Sequence, residues 1–399
     1  MEILIADKLS PRTVQRLETA GHRVRQEAQL TGDTLPGAIG AADILVVRST
    51  KVTAATLAAG SKLSLVIRAG AGTNTIDVAE ASRRGIYVAN CPGKNTDAVA
   101  ELTIGLIVAA DRRIADATID LRSGKWRKGE YGKARGLRGR TLGILGLGSI
   151  GKRVAAIAQS MGMQVVAWSR SLTTDLAESL NIGWCASPAE VAKIADVLSI
   201  HVAAAPETDK LIDAELLALL PDGAIVVNTS RGETVDEAAM AEAIALRGIR
   251  YATDVFRDEP AGNDGAFDKT EFAGRVTATP HIGASTDQAS EAIADEVVRI
   301  VDEFLATGRP PGTVNLQQRS ADGCTLVVRH LNKVGVLAGI LDALREEGIN
   351  VLEMENVIFK HGIAACCSLR LDGPPSAGLV ERLEQVEAHA SVQVRGSRS

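Results

Sequence analysis

TLGILGLGSIGKRVAAIAQSMGM, residues 141–163, decides the fold of this chain. Its first five residues are apolar and partly branched, as suits a strand buried in a parallel sheet. Gly146-Leu147-Gly148-Ser149-Ile150-Gly151 follows at once, and a helical pattern runs on over residues 152–160. Strand, G-x-G-x-x-G and helix in that order form the dinucleotide-binding fingerprint. Gly146 serves the tight turn, Gly148 lets the backbone approach a pyrophosphate, and Gly151 lets helix and strand pack closely. The helix start, with Ser149 and Ile150, offers free N–H groups to the anion. An ordinary βα turn is the plain alternative, and both flanks argue against it.

On either side of this stretch, short apolar runs alternate with helical ones. Residues 2–6, 44–48, 65–68 and 86–88 read as strands, with helices such as 11–20 and 53–59 between them. That rhythm predicts a parallel sheet wrapped by helices. Beyond the fingerprint, strands are expected at 164–168, 197–202, 224–228, 250–255 and 276–278, and the clearest helices at 211–220 and 235–246. With 141–145 they make six parallel strands of a doubly wound nucleotide domain. Asn90-Cys91-Pro92-Gly93 is a turn cluster where the chain is expected to cross between domains, and one long helix is predicted over 96–122. A further helix is predicted over 285–307, followed by Gly308-Arg309-Pro310-Pro311-Gly312, a linker by composition. From Cys324 the rhythm changes to strand 324–329, helix 336–347, strands 351–359 and 363–371, helix 378–386 and strand 392–394. This βαββαβ order predicts a ferredoxin-like sandwich.

The 399 residues suffice for two or three domains, and 46% hydrophobic with 23% charged content is ordinary for a globular protein. A net charge of −5 supplies no electrostatic footprint for nucleic acid or an anionic membrane. No apolar run approaches the roughly 20 residues of a membrane helix. The N-terminal Met-Glu-Ile-Leu-Ile-Ala-Asp lacks a basic n-region and reads as a first strand, so a cytoplasmic protein without a signal peptide is expected. Cys91, Cys185, Cys324, Cys366 and Cys367 lack disulfide-framework or zinc spacing, which predicts reduced, mostly buried thiols and no metal site.

Three polar spots share one position, at or just past a strand end: Arg231 in NTSRG (228–232), Glu259 in DVFRDEP (254–260) and His281 in TPHIG (279–283). In a doubly wound sheet such ends converge on one crevice. Arg231 can grip a carboxylate in bidentate fashion, and His281 can exchange a proton near neutral pH. Glu259 beside the imidazole would favour its charged form and fix its tautomer. Singly they read as a surface ion pair, a turn residue and a satisfied histidine. Together, behind a dinucleotide fingerprint, they point to hydride transfer between a nicotinamide and a 2-oxo acid. Arg48-Ser49-Thr50-Lys51 and Arg68-Ala69-Gly70-Ala71-Gly72 also lie at strand ends, where solvated arginines and a glycine turn are the plain alternative.

GLGSIG, NTSRG, DVFRDEP and TPHIGAST resemble the D-2-hydroxyacid dehydrogenase family, as do RSTKVT (48–53), RAGAGTNTID (68–77) and GKW (124–126). The resemblance runs over residues 1–318 and implies an NAD(P)-dependent oxidoreductase with Arg231, Glu259 and His281 as its catalytic set. It implies a flavodoxin-like substrate domain from 1–93 and 283–320, and a Rossmann nucleotide domain over 94–282. Cofactor contacts are implied for Gly146, Gly148, Ser149, Ile150, Gly151, Ser169, Arg170, Val202, Thr229, Asp254, His281, Gly283 and Ala284. Substrate contacts are implied for Arg48, Ser49, Arg68, Ala69, Gly70 and Arg231. Residues 321–399 resemble an ACT domain, the amino-acid-sensing module, which points to the family's ACT-bearing, 3-phosphoglycerate-oxidising branch and to a homodimer or homotetramer. Hydroxypyruvate and glyoxylate reductases are the nearest alternative, and a non-catalytic NAD(H)-binding corepressor is the alternative from another class. His330, Asn332 and Asn350 match the effector pattern of such ACT domains, with L-serine the candidate effector, although Val334 stands where proline is usual.

One departure bears on the cofactor. NAD-preferring members carry an acid about 20 residues past the fingerprint, where it bonds the ribose 2′-OH. Here Ser169 and Arg170 hold that place, and the first nearby acid is Asp175. A cation without a carboxylate makes NADP(H) as well as NAD(H) an expected cofactor.

Overall fold

Runs such as Ile44–Val47 and Val197–Ile200 are apolar throughout because both faces of their sheets are covered by helices. The computed structural model describes residues 1–260, 265–317, 324–386 and 388–395. The chain divides into two compact units, Met1–Leu316 and Gln317–Ser399.

The first unit holds two parallel sheets. One comprises β1 (Glu2–Ile5), β2 (Arg23–Gln26), β3 (Ile44–Val47), β4 (Leu65–Arg68) and β5 (Tyr87–Asn90), in the order β2-β1-β3-β4-β5. The other comprises β6 (Thr141–Leu145), β7 (Gln164–Trp168), β8 (Gly183–Trp184), β9 (Val197–Ile200), β10 (Ile225–Asn228), β11 (Arg250–Thr253) and β12 (Thr277–Ala278), in the order β12-β11-β10-β9-β6-β7-β8. These are the flavodoxin-like and Rossmann-type orders, with switch points between β1 and β3 and between β6 and β9. Helix Asp287–Thr307 returns to the first sheet, burying Ile293, Val297, Ile300 and Val301 against Ile3, Ile5, Ile44 and Val46.

Three expectations are corrected. The long helix over 96–122 is two, Thr96–Arg112 and Ile114–Arg122, because Arg113 adopts a left-handed conformation (φ 50°). Its guanidinium there pairs with Asp116 and Glu130 and lies over the Tyr131 ring. The nucleotide sheet has seven strands rather than the six expected, with β8 added, and β2 joins the first sheet; neither is legible locally, since RVRQ carries one apolar residue and GW is only two residues long. The stretch after Gly308 is no free linker: Asn90 N donates to Gly312 O, Val314 N to Val88 O, and Thr313 pairs antiparallel with Ala89.

In the second unit β13 (Cys324–Leu331), β14 (Val351–Ile358), β15 (Ala364–Leu371) and β16 (His389–Arg395) form an antiparallel sheet ordered β14-β15-β13-β16. Helices Val336–Glu346 and Ala377–Glu384 cover one face, packing Ile340, Leu344, Leu379 and Leu383 on Leu326, Val328 and Leu369. The βαββαβ order is as predicted. No helix among the described residues is long and apolar enough to cross a membrane. All five cysteines are free, and burial pushes the Cys91 thiol up to about 12.

Candidate active site

The fingerprint turn has the shape a pyrophosphate requires. Gly146 sits at φ +94°, and a β-carbon on it would stand 2.6 Å from His201 O and 2.9 Å from Val202 N. A β-carbon on Gly151 would stand 2.3 Å from Gly146 O, whereas one on Gly148 would meet nothing within 4 Å. Helix Ser149–Ser160 starts there with no side-chain cap, so its first N–H groups are free for an anion. Ser169 and Arg170 lie just past β7, and no ion-pair partner for Arg170 occurs among the described residues. The residues fit a dinucleotide.

At the ends of β10, β11 and β12 the three candidate catalytic side chains come together. His281 Nδ1 and Glu259 Oε2 are 2.6 Å apart, and Phe256 N donates to Glu259 Oε1 at 2.9 Å. Burial raises the Glu259 carboxyl, but the His281 hydrogen bond and charge, the Phe256 N–H and the Arg231 charge together hold it below its ordinary range. It is therefore a carboxylate at neutral pH. The pairing occupies Nδ1 of the ring, and the histidine side chain is about half exposed.

Asp254 organises the histidine's loop. Its carboxylate accepts from Thr279 Oγ1 (2.6 Å), Ile282 N (2.8 Å) and Gly283 N (2.8 Å), and its carbonyl accepts from His281 N (2.8 Å). Burial nevertheless pushes the Asp254 carboxyl up. His281 sits at φ +52°, a conformation uncommon outside glycine, and these bonds hold it there. Ala284 follows half-buried, and the buried Thr229 hydroxyl lies 2.7 Å from that of Thr103.

Three arginines, Arg231, Arg68 and Arg48, lie close enough to feel one another's charge. A β-carbon on Gly72 would lie 2.4 Å from an Arg231 terminal nitrogen, so this glycine makes room for the fork. Arg68 is half-buried, with Gly70 packed against its guanidinium, and its Nη1 donates to Ala69 O at 3.1 Å. Burial, then the neighbouring charges of Arg231 and Arg48, lower the Arg68 pKa to about 10. Three mutually repelling cations in one place call for an anion.

Arg48 N donates to Asp7 Oδ2 at 2.6 Å, and its guanidinium reaches Ser285 Oγ at 3.5 Å. Ser49 is exposed, and its N–H and its hydroxyl (2.8 Å) both donate to Asp7. The sequence does not single out Asp7, and a carboxylate just past the first strand is its visible signal.

In the second unit His330 is the penultimate residue of β13, just before the loop that leads to helix Val336–Glu346. It is 2% exposed, with Nε2 3.1 Å from Asn356 Oδ1 and Nδ1 2.8 Å from Leu331 O. Asn332 Nδ2 donates to Gly362 O at 3.0 Å, and Asn350 N donates to Asp372 Oδ1 at 2.9 Å. Leu331 pairs with Ala364, whereas Cys324 and Val351 both pair with Leu371. Asn332 and Asn350 therefore flank opposite ends of the sheet, roughly 25 Å apart at about 3.3 Å per strand residue. One small molecule cannot bridge them within a single chain.

Residues 104–283 match the model of the D-isomer specific 2-hydroxyacid dehydrogenase NAD-binding domain. The chain is 34% identical over 356 residues to D-3-phosphoglycerate dehydrogenase of Methanocaldococcus jannaschii, covering 89% of this chain and 67% of that protein. It is 40% identical over 306 residues to hydroxypyruvate reductase of Thermotoga maritima, covering 75% of this chain and 97% of that one. Among solved structures, NAD+-bound 3-phosphoglycerate dehydrogenase of Entamoeba histolytica superposes with a TM-score of 0.66 at 30% identity, over 80% of this chain and 99% of that chain. The chain spans about two thirds of the length of the curated phosphoglycerate dehydrogenases it matches.

Proposed function

This chain belongs to the D-isomer specific 2-hydroxyacid dehydrogenase family, and from that premise we propose that it is a D-3-phosphoglycerate dehydrogenase, an NAD(P)-dependent cytoplasmic enzyme that interconverts 3-phosphoglycerate and 3-phosphohydroxypyruvate. The observation that carries the substrate is the arginine cluster. Arg231 suffices for the carboxylate, and Arg48 with the half-buried Arg68 remains for a phosphate.

The nicotinamide, when bound, supplies the hydride acceptor for oxidation and the donor for reduction. The fingerprint turn of Gly146, Gly148 and Gly151 with the start of helix Ser149–Ser160 would hold its pyrophosphate. Arg231 orients the 2-carboxylate and polarises the adjacent C–O bond. His281 Nε2 takes the hydroxyl proton in oxidation and returns it in reduction, while Glu259 fixes the ring through Nδ1 and stabilises the imidazolium. Roles for Val202, Thr229, Asp254, Gly283 and Ala284 along the cofactor, and for Ala69 and Gly70 along the substrate, belong to the same reading.

A turnover panel tests it: 3-phosphohydroxypyruvate, hydroxypyruvate and glyoxylate against NADH and NADPH, and 3-phosphoglycerate in the other direction. The phosphorylated pair should show the highest kcat/KM, and NADPH should be used measurably because Arg170 faces no carboxylate at the 2′ position. Arg48→Ala should cost about 10-fold or more on phosphohydroxypyruvate, the scale of one charge-assisted hydrogen bond, and far less on hydroxypyruvate. Equal losses would favour the second reading, hydroxypyruvate reduction, which the likeness to the Thermotoga enzyme supports.

The second unit fits an ACT-type regulatory domain. Because Asn332 and Asn350 lie at opposite ends of its sheet, an effector site using both needs two copies, so the reading includes a homo-oligomer. L-Serine, or another small amino acid, is expected to inhibit, and Asn332→Ala and Asn350→Ala should each weaken that inhibition in a dose–response assay. Silence across an amino-acid panel would leave the unit as an oligomerisation module.

A further inference from the structure

We propose that Asp7 is a positioning residue for substrate recognition: its carboxylate holds the turn of residues 48–50 so that the Arg48 guanidinium stands in the cleft with Arg68 and Arg231. The inference rests on the proposed substrate reading and deepens it. Asp7 lies two residues past β1 and is 7% exposed, at the switch point between β1 and β3. Its Oδ2 accepts from Arg48 N (2.6 Å), Ser49 N (3.2 Å) and Thr50 N (3.2 Å), and its Oδ1 accepts from Ser49 N (3.2 Å) and Ser49 Oγ (2.8 Å). Thr50 Oγ1 ties the same turn to Ala6 O at 3.0 Å and Leu30 O at 3.3 Å.

Three successive N–H groups converging on one point make a concavity that binds anions. Here the fold fills it from within. The turn consequently withholds its N–H groups from a ligand and presents the Arg48 side chain instead. Among the described residues, that guanidinium makes one hydrogen bond, to Ser285 Oγ at 3.5 Å, the outer limit of such a bond. Its aim is therefore set where its backbone is anchored, at Asp7. The same carboxylate favours the charged form of Arg68, opposing the disfavour imposed by Arg231 and Arg48. A residue that merely closed a turn would affect every substrate alike. One that acts through Arg48 must lose its effect when Arg48 is gone.

The experiment is a double-mutant cycle of Asp7→Asn and Arg48→Ala in the full chain, with folding checked by nucleotide binding. Asp7→Asn keeps the shape but removes the charge and turns an amide donor toward the N–H groups. It should lower the ratio of kcat/KM for phosphohydroxypyruvate over hydroxypyruvate about tenfold, and change it less than about twofold when Arg48 is already alanine. Equal losses on both substrates, or losses that multiply across the cycle, would overturn the inference. A wild type without preference for the phosphorylated substrate would instead defeat the substrate reading. In that case the coupling of Asp7 to Arg48, measured on whichever 2-oxo acid is turned over, still decides the role of Asp7. Should Asp7→Asn not fold, Ser49→Ala removes one bond to the same carboxylate and is expected to act in the same direction, more weakly. Additivity of Ser49→Ala with Arg48→Ala would be equally fatal.

Discussion

His281→Gln should lower kcat and kcat/KM for the 2-oxo acid by about 10²–10⁴-fold, while nucleotide affinity stays within a few-fold of the wild type. The loss corresponds to about 3–5 kcal/mol of transition-state stabilisation. Glutamine keeps a polar group of similar reach, so the Glu259 carboxylate retains a donor and the loop retains its Asp254 bonds. What disappears is a group that can both give and take a proton at the substrate oxygen. Stopped-flow reduction with saturating NADH, alongside nucleotide titration by tryptophan fluorescence, separates the two quantities. Near-wild-type turnover would remove His281 from the chemistry and leave the pair with Glu259 as a structural contact.

The second large effect is expected from a residue that touches no substrate. A β-carbon on Gly232 would stand 2.1 Å from the Phe256 carbonyl carbon, 2.2 Å from its oxygen and 2.4 Å from Arg257 N. All three are backbone atoms of the loop that carries Glu259. That loop cannot yield cheaply: Arg257 N donates to Glu237 Oε1 at 2.8 Å, Lys269 binds both Glu237 and the Arg257 carbonyl, and Arg257 pairs with Asp209. Gly232→Ala must therefore push the Arg231 segment and the Glu259 loop apart by about 1 Å, a displacement that can cost on the order of 10²-fold in rate. We expect kcat/KM to fall by about that factor, with an overpacking cost of about 1–3 kcal/mol in stability. Thermal unfolding and steady-state kinetics on the same preparation read both. Unchanged kinetics would show that Arg231 and Glu259 tolerate independent movement.

These two residues mark where the sequence was legible and where it was not. His281, Glu259 and Arg231 could be read because each lies at a strand end in a doubly wound pattern, and the crevice at those ends follows from topology. The structure brings the three together as that argument requires, with the bond from Nδ1 to Glu259 directly visible. Gly232 was visible only as part of NTSRG; its close approach to Phe256 depends on a loop 24 positions away in sequence. Asp7 was hidden for the same reason, since its partners at 48–50 meet it only once β1 and β3 lie side by side.

Local chemistry accounts for the elements themselves. The apolar runs of β3, β6 and β9, the fingerprint turn and the change of rhythm at Cys324 all follow from side-chain pattern, because burial on both faces of a parallel sheet demands continuous apolar stretches. Weak elements escaped: β2 and β8 exist because neighbouring strands present unpaired edges, and the helix break at Arg113 follows from side chains that meet in space. Only tertiary structure could decide that Ser49 faces Asp7, that His330 is buried against Asn356, and that Asn332 and Asn350 stand at opposite ends of one sheet. The physical reason is that periodicity reports which face of an element is buried, while the direction of a polar side chain is set by the partner that satisfies it. That partner is chosen by the fold.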